Sequence, residues 1–167
     1  MRGRKTLLIG AINIVALGAV MVFPPTDYWL WNRTESAPVG LYRLSDGPLT
    51  LNGWAVVSAE APSAKWIYDR GYLAPDWPII KRVRGLPGDE ICRENEAILI
   101  NGVAVATAWE EDFLGRELPV WNGCLTVQSG EFFLLNDHPR SLDGRYFGVT
   151  DGVDIRGSAH LWWEVGE

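Results

Sequence analysis

The chain has 167 residues, enough for one domain with a buried core and too few for two of ordinary size. It is 47% hydrophobic and 22% charged, which excludes a disordered chain. Arg2, Arg4 and Lys5 are three of its 15 basic residues; the others face 21 acidic ones, a balance of about nine negative charges that repels phosphate backbones and excludes nucleic acid as a partner.

The first predicted element is a membrane anchor over Leu7–Phe23, LLIGAINIVALGAVMVF, with Asn13 its single strongly polar member. A hydrocarbon core about 30 Å thick takes roughly 20 residues, so this run is at the short end for a span. A cleaved signal peptide is the competing reading. Against it, the run ends in Val22-Phe23-Pro24-Pro25 with no small-x-small cleavage site. Tyr28, Trp29 and Trp31 follow as an interfacial aromatic belt. The expectation is a single-pass inner-membrane protein. Residues 1–25 form a cytoplasmic basic tip and transmembrane helix, and residues 26–167 form a periplasmic domain with the lipid bilayer as a partner. That compartment is oxidising, so Cys92 and Cys124 are expected to form a disulfide, the alternative being two buried thiols that never meet.

Beyond Pro25 the pattern is β-like. Short runs rich in Val, Ile, Leu and Trp are broken by Gly, Pro, Asn and Asp. Predicted strands are Gly40–Leu44, Trp54–Ser58, Ile79–Arg84, Glu90–Arg93, Ala97–Ile100, Val103–Ala106, Cys124–Val127, Glu131–Leu135 and His160–Glu164. Asn101-Gly102 reads as a two-residue hairpin and Leu86-Pro87-Gly88-Asp89 as a Pro-Gly turn. Residues 59–78 and 107–123 read as longer excursions, the first with a short helix ending at Asp69-Arg70-Gly71-Tyr72. The fold class is mainly β: an all-β domain of short, closely spaced strands behind one N-terminal transmembrane helix.

Two stretches carry candidate chemistry. In WNRTESAPVGLYRL, residues 31–44, Ser36 lies between an acid and Ala-Pro, and a serine nucleophile needs a base. In PIIKRVRGLPGD, residues 78–89, strand alternation places Lys81 between Ile79 and Val83, while Arg82 and Arg84 take the other face with Ile80. A lysine buried without a counter-ion loses charge, and a neutral amine is a competent general base. A lysine that buries its stem and keeps its ammonium wet is the plainer alternative.

SAPVGLY at 36–42, KRVRGLPGD at 81–89 and the Asp-Gly-Arg-Tyr-Phe-Gly end of residues 130–148 together resemble the type I signal peptidase family of Ser/Lys proteases. Within it the chain is most similar to the TraF-type peptidases of conjugative transfer systems, whose pattern is Ser-x-Pro-x-Gly-Leu-Tyr. The resemblance covers roughly residues 7–163 and implies an all-β catalytic domain of antiparallel sheets. It implies Ser36 as nucleophile, Lys81 as general base, and the Ser36 N–H with the Thr34 hydroxyl as oxyanion hole. Ser141 would orient the lysine, with Asp143 and Arg145 a structural ion pair behind the site. The implied activity needs no cofactor and no metal. It removes leader peptides, through an acyl-enzyme, from membrane-inserted precursors with small residues before the cleavage site. A pilin subunit of a conjugative apparatus is the expected precursor. A housekeeping signal peptidase and a non-catalytic membrane-tethered scaffold remain open at this point. Two departures from the family pattern stand out: Ala37-Pro38 where housekeeping members have Met, and Asn136-Asp137 where Gly-Asp-Asn is usual.

Other motifs are weaker. His138 beside Asp137 and Asp143 suggests a Ser-His-Asp triad, but a polar loop followed by Pro139 favours a histidine at the rim. His160, in an apolar strand, reads as a core histidine, and Glu110-Glu111-Asp112 as a solvated acidic run. Two cysteines with no nearby histidine pair do not make a zinc site.

Overall fold

The computed structural model of the protein describes residues 28–75 and 77–166, so the expected anchor over Leu7–Phe23 lies outside the described residues. Among the described residues no helix is long and apolar enough to cross a membrane. Eleven strands run in chain order: β1 (Trp29–Asn32), β2 (Gly40–Ser45), β3 (Trp54–Val57), β4 (Ile79–Gly85), β5 (Glu90–Glu94), β6 (Ala97–Ile100), β7 (Val103–Thr107), β8 (Gly123–Thr126), β9 (Glu131–Leu134), β10 (Thr150–Asp151) and β11 (Ile155–Glu164). Among the described residues two short α-helices, α1 (Pro62–Asp69) and α2 (Gly144–Phe147), interrupt these strands.

Turn chemistry sets several of these boundaries. Asn101 and Gly102 both take positive φ, 50° and 80°, as the type I′ turn between β6 and β7 requires. Gly88, at φ 100°, closes the turn in which the Asp89 N–H donates to the Leu86 carbonyl at 3.0 Å. Pro62 opens α1, where its missing N–H has no partner to lose.

The strands form two antiparallel sheets. One has seven strands in the order β1-β2-β11-β3-β4-β9-β10, the other four in the order β7-β6-β5-β8. In the larger sheet β3 and β4 are central and covered on both faces, because alternate side chains enter different cores. Ala55, Val57, Ile79, Val83 and Leu134 pack against Ala64 and Ile67 of α1. Val56 and Ile80 point the other way, onto Ala37, Tyr42, Leu44 and Ala159. A third cluster, around Ile91, Ile98, Phe133, Leu135 and Tyr146, joins the smaller sheet to the end of β9. Cys92 of β5 and Cys124 of β8 are cross-strand partners joined by a disulfide, Cα atoms 4.0 Å apart.

Several expectations are corrected. Trp29–Asn32, absent from the predicted strands, is an edge strand paired with β2, while the rings of Tyr28, Trp29 and Trp31 are exposed. β11 begins at Ile155 rather than His160 and runs between β2 and β3. Gly157 permits this crossing, since a Cβ there would come within 2.8 Å of the Ser45 carbonyl oxygen. His160 is exposed, not in the core: Ala159 takes the inward position and alternation turns its neighbour out. The acidic run is solvated only in part, because Asp112 pairs with Arg116 at 2.6 Å with its side chain 7% exposed.

Candidate active site

β1 ends at Asn32, and the chain turns through residues 33–39 before re-entering the sheet as β2. Asn32 is 1% exposed and organises that turn. Its Nδ2 donates to the carbonyls of Thr34, Ala37 and Pro38 at 2.9, 3.0 and 3.0 Å. Its Oδ1 accepts from the Thr34 N–H at 3.1 Å and from the Thr34 hydroxyl at 2.8 Å. The Tyr42 hydroxyl adds a bond to the Pro38 carbonyl at 2.8 Å.

The direction of these bonds follows from donor chemistry. A backbone N–H can only donate, so the amide atom facing Thr34 N is the oxygen. That oxygen cannot donate, so it takes the single proton of the Thr34 hydroxyl. Towards Ser36 Oγ, 3.4 Å away, Thr34 Oγ1 then offers lone pairs only, and Ser36 is the donor.

Lys81 enters from β4. Its side chain shares a face with Ile79 and Val83, both buried, and the residue is 6% exposed. Nζ donates to Ser141 Oγ at 2.9 Å. Burial, the largest influence, lowers the Lys81 pKa from 10.5 to about 8; the Asp143 carboxylate acts against that shift and the Arg145 guanidinium with it. Arg82 and Arg84, on the other face, reach Asp137 at 3.9 and 2.9 Å, so this strand keeps its guanidinium groups apart from its ammonium.

The segment after β9 supplies the third wall. The Leu135 N–H still donates to the Arg82 carbonyl at 2.9 Å, and then a side chain replaces the ladder. Asn136 Oδ1 accepts from the Arg82 N–H at 2.8 Å, and its Nδ2 donates to the Ile80 carbonyl at 3.1 Å. Backbone groups on both sides of Lys81 are thereby satisfied without water. Behind them, Asp143 and Arg145 form a fully buried ion pair at 2.8 Å. Asp143 Oδ2 accepts from the Asn136 N–H at 3.0 Å, and Arg145 donates to the carbonyls of Asn136 and Pro139 at 2.6 and 3.0 Å. Gly144 between them has no room for a side chain, since a Cβ would lie 2.6 Å from the Phe133 ring.

Thr34, Ser36, Lys81, Ser141 and His138 all line one cavity of about 360 Å³, walled by apolar residues such as Ile80 and Leu142. The expected set is thus brought together from three separate stretches, with Asp143 and Arg145 behind it. Cys92 and Cys124 lie in the smaller sheet, outside the cavity lining. His138 does not complete a triad. Its Nδ1 accepts from the Arg140 N–H at 3.2 Å, which places the proton of a neutral ring on Nε2 and leaves no base there. Both neighbouring aspartates are engaged with arginines.

Two contributors went unpredicted as site residues, Asn32 and Asn136. Each is an asparagine at or just past the end of a strand, where its short amide competes with the backbone for local hydrogen bonds. A buried amine below its ordinary pKa, beside a serine hydroxyl in a walled cavity, is an arrangement suited to nucleophilic catalysis.

Residues 3–163 match the family model for signal peptidase, peptidase S26. The chain belongs to that family. It is therefore a signal-peptidase-type serine endopeptidase, a family that acts on exported precursor proteins. Two relatives are each a plasmid transfer protein TraF of Escherichia coli. One is 30% identical over 138 residues, covering 74% of this chain and 76% of the relative. The other is 28% identical over 139 residues, covering 75% and 76%. Among solved structures, a signal peptidase I of Enterococcus faecalis aligns with 22% identity and a TM-score of 0.39, covering 68% of this chain and 98% of that one.

Proposed function

We propose that this peptidase is a membrane-anchored Ser/Lys enzyme of conjugative transfer that removes the leader peptide from an exported pilin precursor through an acyl-enzyme. The observation that carries the dyad is the dry setting of Lys81: buried, hydrogen-bonded to Ser141, with a pKa of about 8, in the cavity that Ser36 also lines. With one N–H committed to Ser141, a neutral Lys81 has its lone pair free for the Ser36 proton. Ser36 Oγ attacks the scissile carbonyl as that proton leaves for Lys81, which then protonates the departing amine. Attack on the ester by water, giving a linear product, or by the precursor's own amino terminus, giving a circular one, frees Ser36.

The Ser36 N–H and the Thr34 hydroxyl are the proposed oxyanion donors. Thr34 reaches that role only by turning its proton away from Asn32. The exchange is favourable in the transition state, because a neutral hydrogen bond contributes about 1 kcal/mol net while one to a charged group contributes about 1.5–3 kcal/mol.

The plasmid-transfer naming of the relatives supports the conjugative setting. An exposed aromatic face supports the proposed anchor over Leu7–Phe23 and a periplasmic catalytic domain. Trp29 packs on Trp162 at 5.5 Å and Trp31 on Trp163 at 5.8 Å, all four rings exposed, the first of each pair lying close after the proposed anchor in sequence. Such rings suit the headgroup zone of a bilayer.

The deciding experiment is cleavage of a membrane-inserted precursor by the full chain carrying Ser36→Ala, Lys81→Ala or Lys81→Arg. All three should be inactive and folded; a guanidinium cannot give up its proton near neutrality. An active Lys81→Arg enzyme would remove lysine from the mechanism. Unimpaired processing by Ser36→Ala would leave a scaffold.

A further inference from the structure

The cavity that holds Ser36 and Lys81 does not end at their walls. Tyr72, Arg140 and Leu142 line it on one side and, on their other side, line a second cavity of the same volume, about 360 Å³. Trp109, Phe113, Leu118 and Tyr146, with the acidic Glu111 and Asp112, complete the second one. No residue of the proposed dyad or oxyanion hole belongs to it.

Its rim is a turn with unusual chemistry. In Asp112-Phe113-Leu114-Gly115 the Gly115 N–H donates to the Asp112 carbonyl at 3.0 Å, and Gly115 takes φ 72°. The positions where turns ordinarily carry polar residues hold Phe113 and Leu114, 73% and 65% exposed.

This turn is stiff, so the exposure is not that of a loose loop. Asp112 accepts from Arg116 at 2.6 Å and from the Tyr72 hydroxyl at 2.8 Å. Further along the same excursion, Arg93 donates to the Ala108 and Pro119 carbonyls, both at 3.2 Å, and Trp121 Nε1 donates to the Arg145 carbonyl at 3.1 Å. The Arg140 guanidinium sits 5.6 Å from the Phe113 ring centroid, on the partition between the two cavities. A preorganised apolar pocket with an aromatic rim, opening beside the cleavage cleft, needs little reordering to bind.

We propose that the second cavity is a substrate subsite for one large apolar or aromatic side chain of the precursor, set apart from the small residues at the scissile bond. The wall the two cavities share selects the occupant, because a chain lying in the first has only to pass over Arg140 and Leu142 to reach the second. Adjoining cavities of this volume have centres about 7–10 Å apart, which an extended chain covers in about two or three residues at roughly 3.3 Å each. The precursor would then be read twice, for small residues at the bond and for a bulky one nearby. The inference rests on the peptidase reading.

The test uses the full chain in detergent and fluorogenic peptides with one small-residue core. Phe, Leu or Ser is walked through each position from five residues before the scissile bond to five after it. At a single position two or three residues from the bond, Phe and Leu should raise kcat/KM over Ser by about tenfold or more, mainly through KM. Phe113→Ser should reduce that preference to below about threefold, and Phe113→Tyr should retain it. Since Phe113 is largely exposed, the Ser variant is expected to fold. Cleavage of the core peptides with no position preferring Phe over Ser by more than about threefold overturns the subsite and leaves the peptidase reading standing. A preference that survives intact in Phe113→Ser also overturns it. If no peptide is cleaved by the parent chain, the peptidase reading fails and the subsite falls with it.

Discussion

Replacing Lys81 by methionine should abolish cleavage and, at neutral pH, relieve the fold of a burden. Methionine keeps the length and the apolar stem and removes the charge. In the unfolded chain the lysine titrates near 10.5, and in the folded chain near 8. Below about pH 8 both states carry the proton, and folding must bury an ammonium. Between about pH 8 and 10.5 only the unfolded chain binds it, so stability rises with pH through that window; above it neither state is charged. The full difference is about 3 kcal/mol, at roughly 1.36 kcal/mol for each tenfold change in proton affinity.

Two other effects of Lys81→Met, the lost bond to Ser141 and any change in packing, do not depend on pH. The quantity to measure is therefore the change in the variant's advantage between pH 7 and pH 10.5. Urea unfolding of wild type and variant at both values gives it directly. The advantage of Lys81→Met should shrink by about 3 kcal/mol on going to the higher pH, whatever its value at pH 7. A difference independent of pH would mean that Lys81 folds with its ordinary affinity for protons, and the argument for a neutral base would fail. The activity of the unmodified enzyme should rise over the same region, with an apparent pKa near 8.

Thr34→Val should lower kcat by about 20- to 150-fold: an oxyanion donor contributes roughly 2.7–4 kcal/mol, less about 1 kcal/mol for the bond to Asn32 that the hydroxyl gives up. Thr34→Ser should stay close to wild type, and a Val variant within about threefold would place the second donor elsewhere. Asn136→Asp keeps the acceptor for the Arg82 N–H but loses the donor to the Ile80 carbonyl and adds negative charge near Lys81. It should destabilise by about 1–3 kcal/mol and move the alkaline limb of the pH–rate profile upward; an unmoved limb would separate Asn136 from the base. Replacing Cys92 and Cys124 together by alanine should cost about 3–4 kcal/mol of stability while kcat holds, measured by denaturation and turnover of one preparation.

Strands that carry their own turn signals are legible in the sequence. The β6–β7 hairpin announces itself by Asn101-Gly102, and β4 by the alternation that isolates Lys81. The elements that went unread depend on partners. Trp29–Asn32 is a strand because β2 lies beside it. Ile155-Arg156-Gly157-Ser158 falls outside the predicted strands, yet it is the start of a central strand between β2 and β3. Ser36, Lys81, Thr34, Ser141, Asp143 and Arg145 could be named as candidates because their motifs keep family order, and the fold brings the first four to one cavity with the ion pair behind it. Asn32 and Asn136 were not, since each acts through backbone groups brought close only by the fold.

Those two asparagines explain how a buried amine and an accessible serine can share one cavity. A site in a sheet needs the ladder to stop, so that the chain can leave and expose a nucleophile. Stopping the ladder strands peptide groups, and stranded groups admit water, which would restore the lysine to its ordinary pKa. Here the ladder stops on both sides: β1 ends at Asn32, before the Ser36 turn, and β9 ends at Leu134, opposite Val83 and two residues short of Lys81. Past β9 the Asn136 side chain, which offers a donor and an acceptor like a peptide group, takes the bonds on β4 that a further strand residue would have made. Past β1, Asn32 ties the backbone of the turn to itself. The backbone around Lys81 stays paired while the main chain turns away. Leucine at 136 would match the size of asparagine and leave the Arg82 N–H and Ile80 carbonyl unpaired beside the amine. The burial that lowers the pKa of Lys81, on which its proposed role as base rests, thus depends on the amide at 136 as well as on the apolar residues around the lysine.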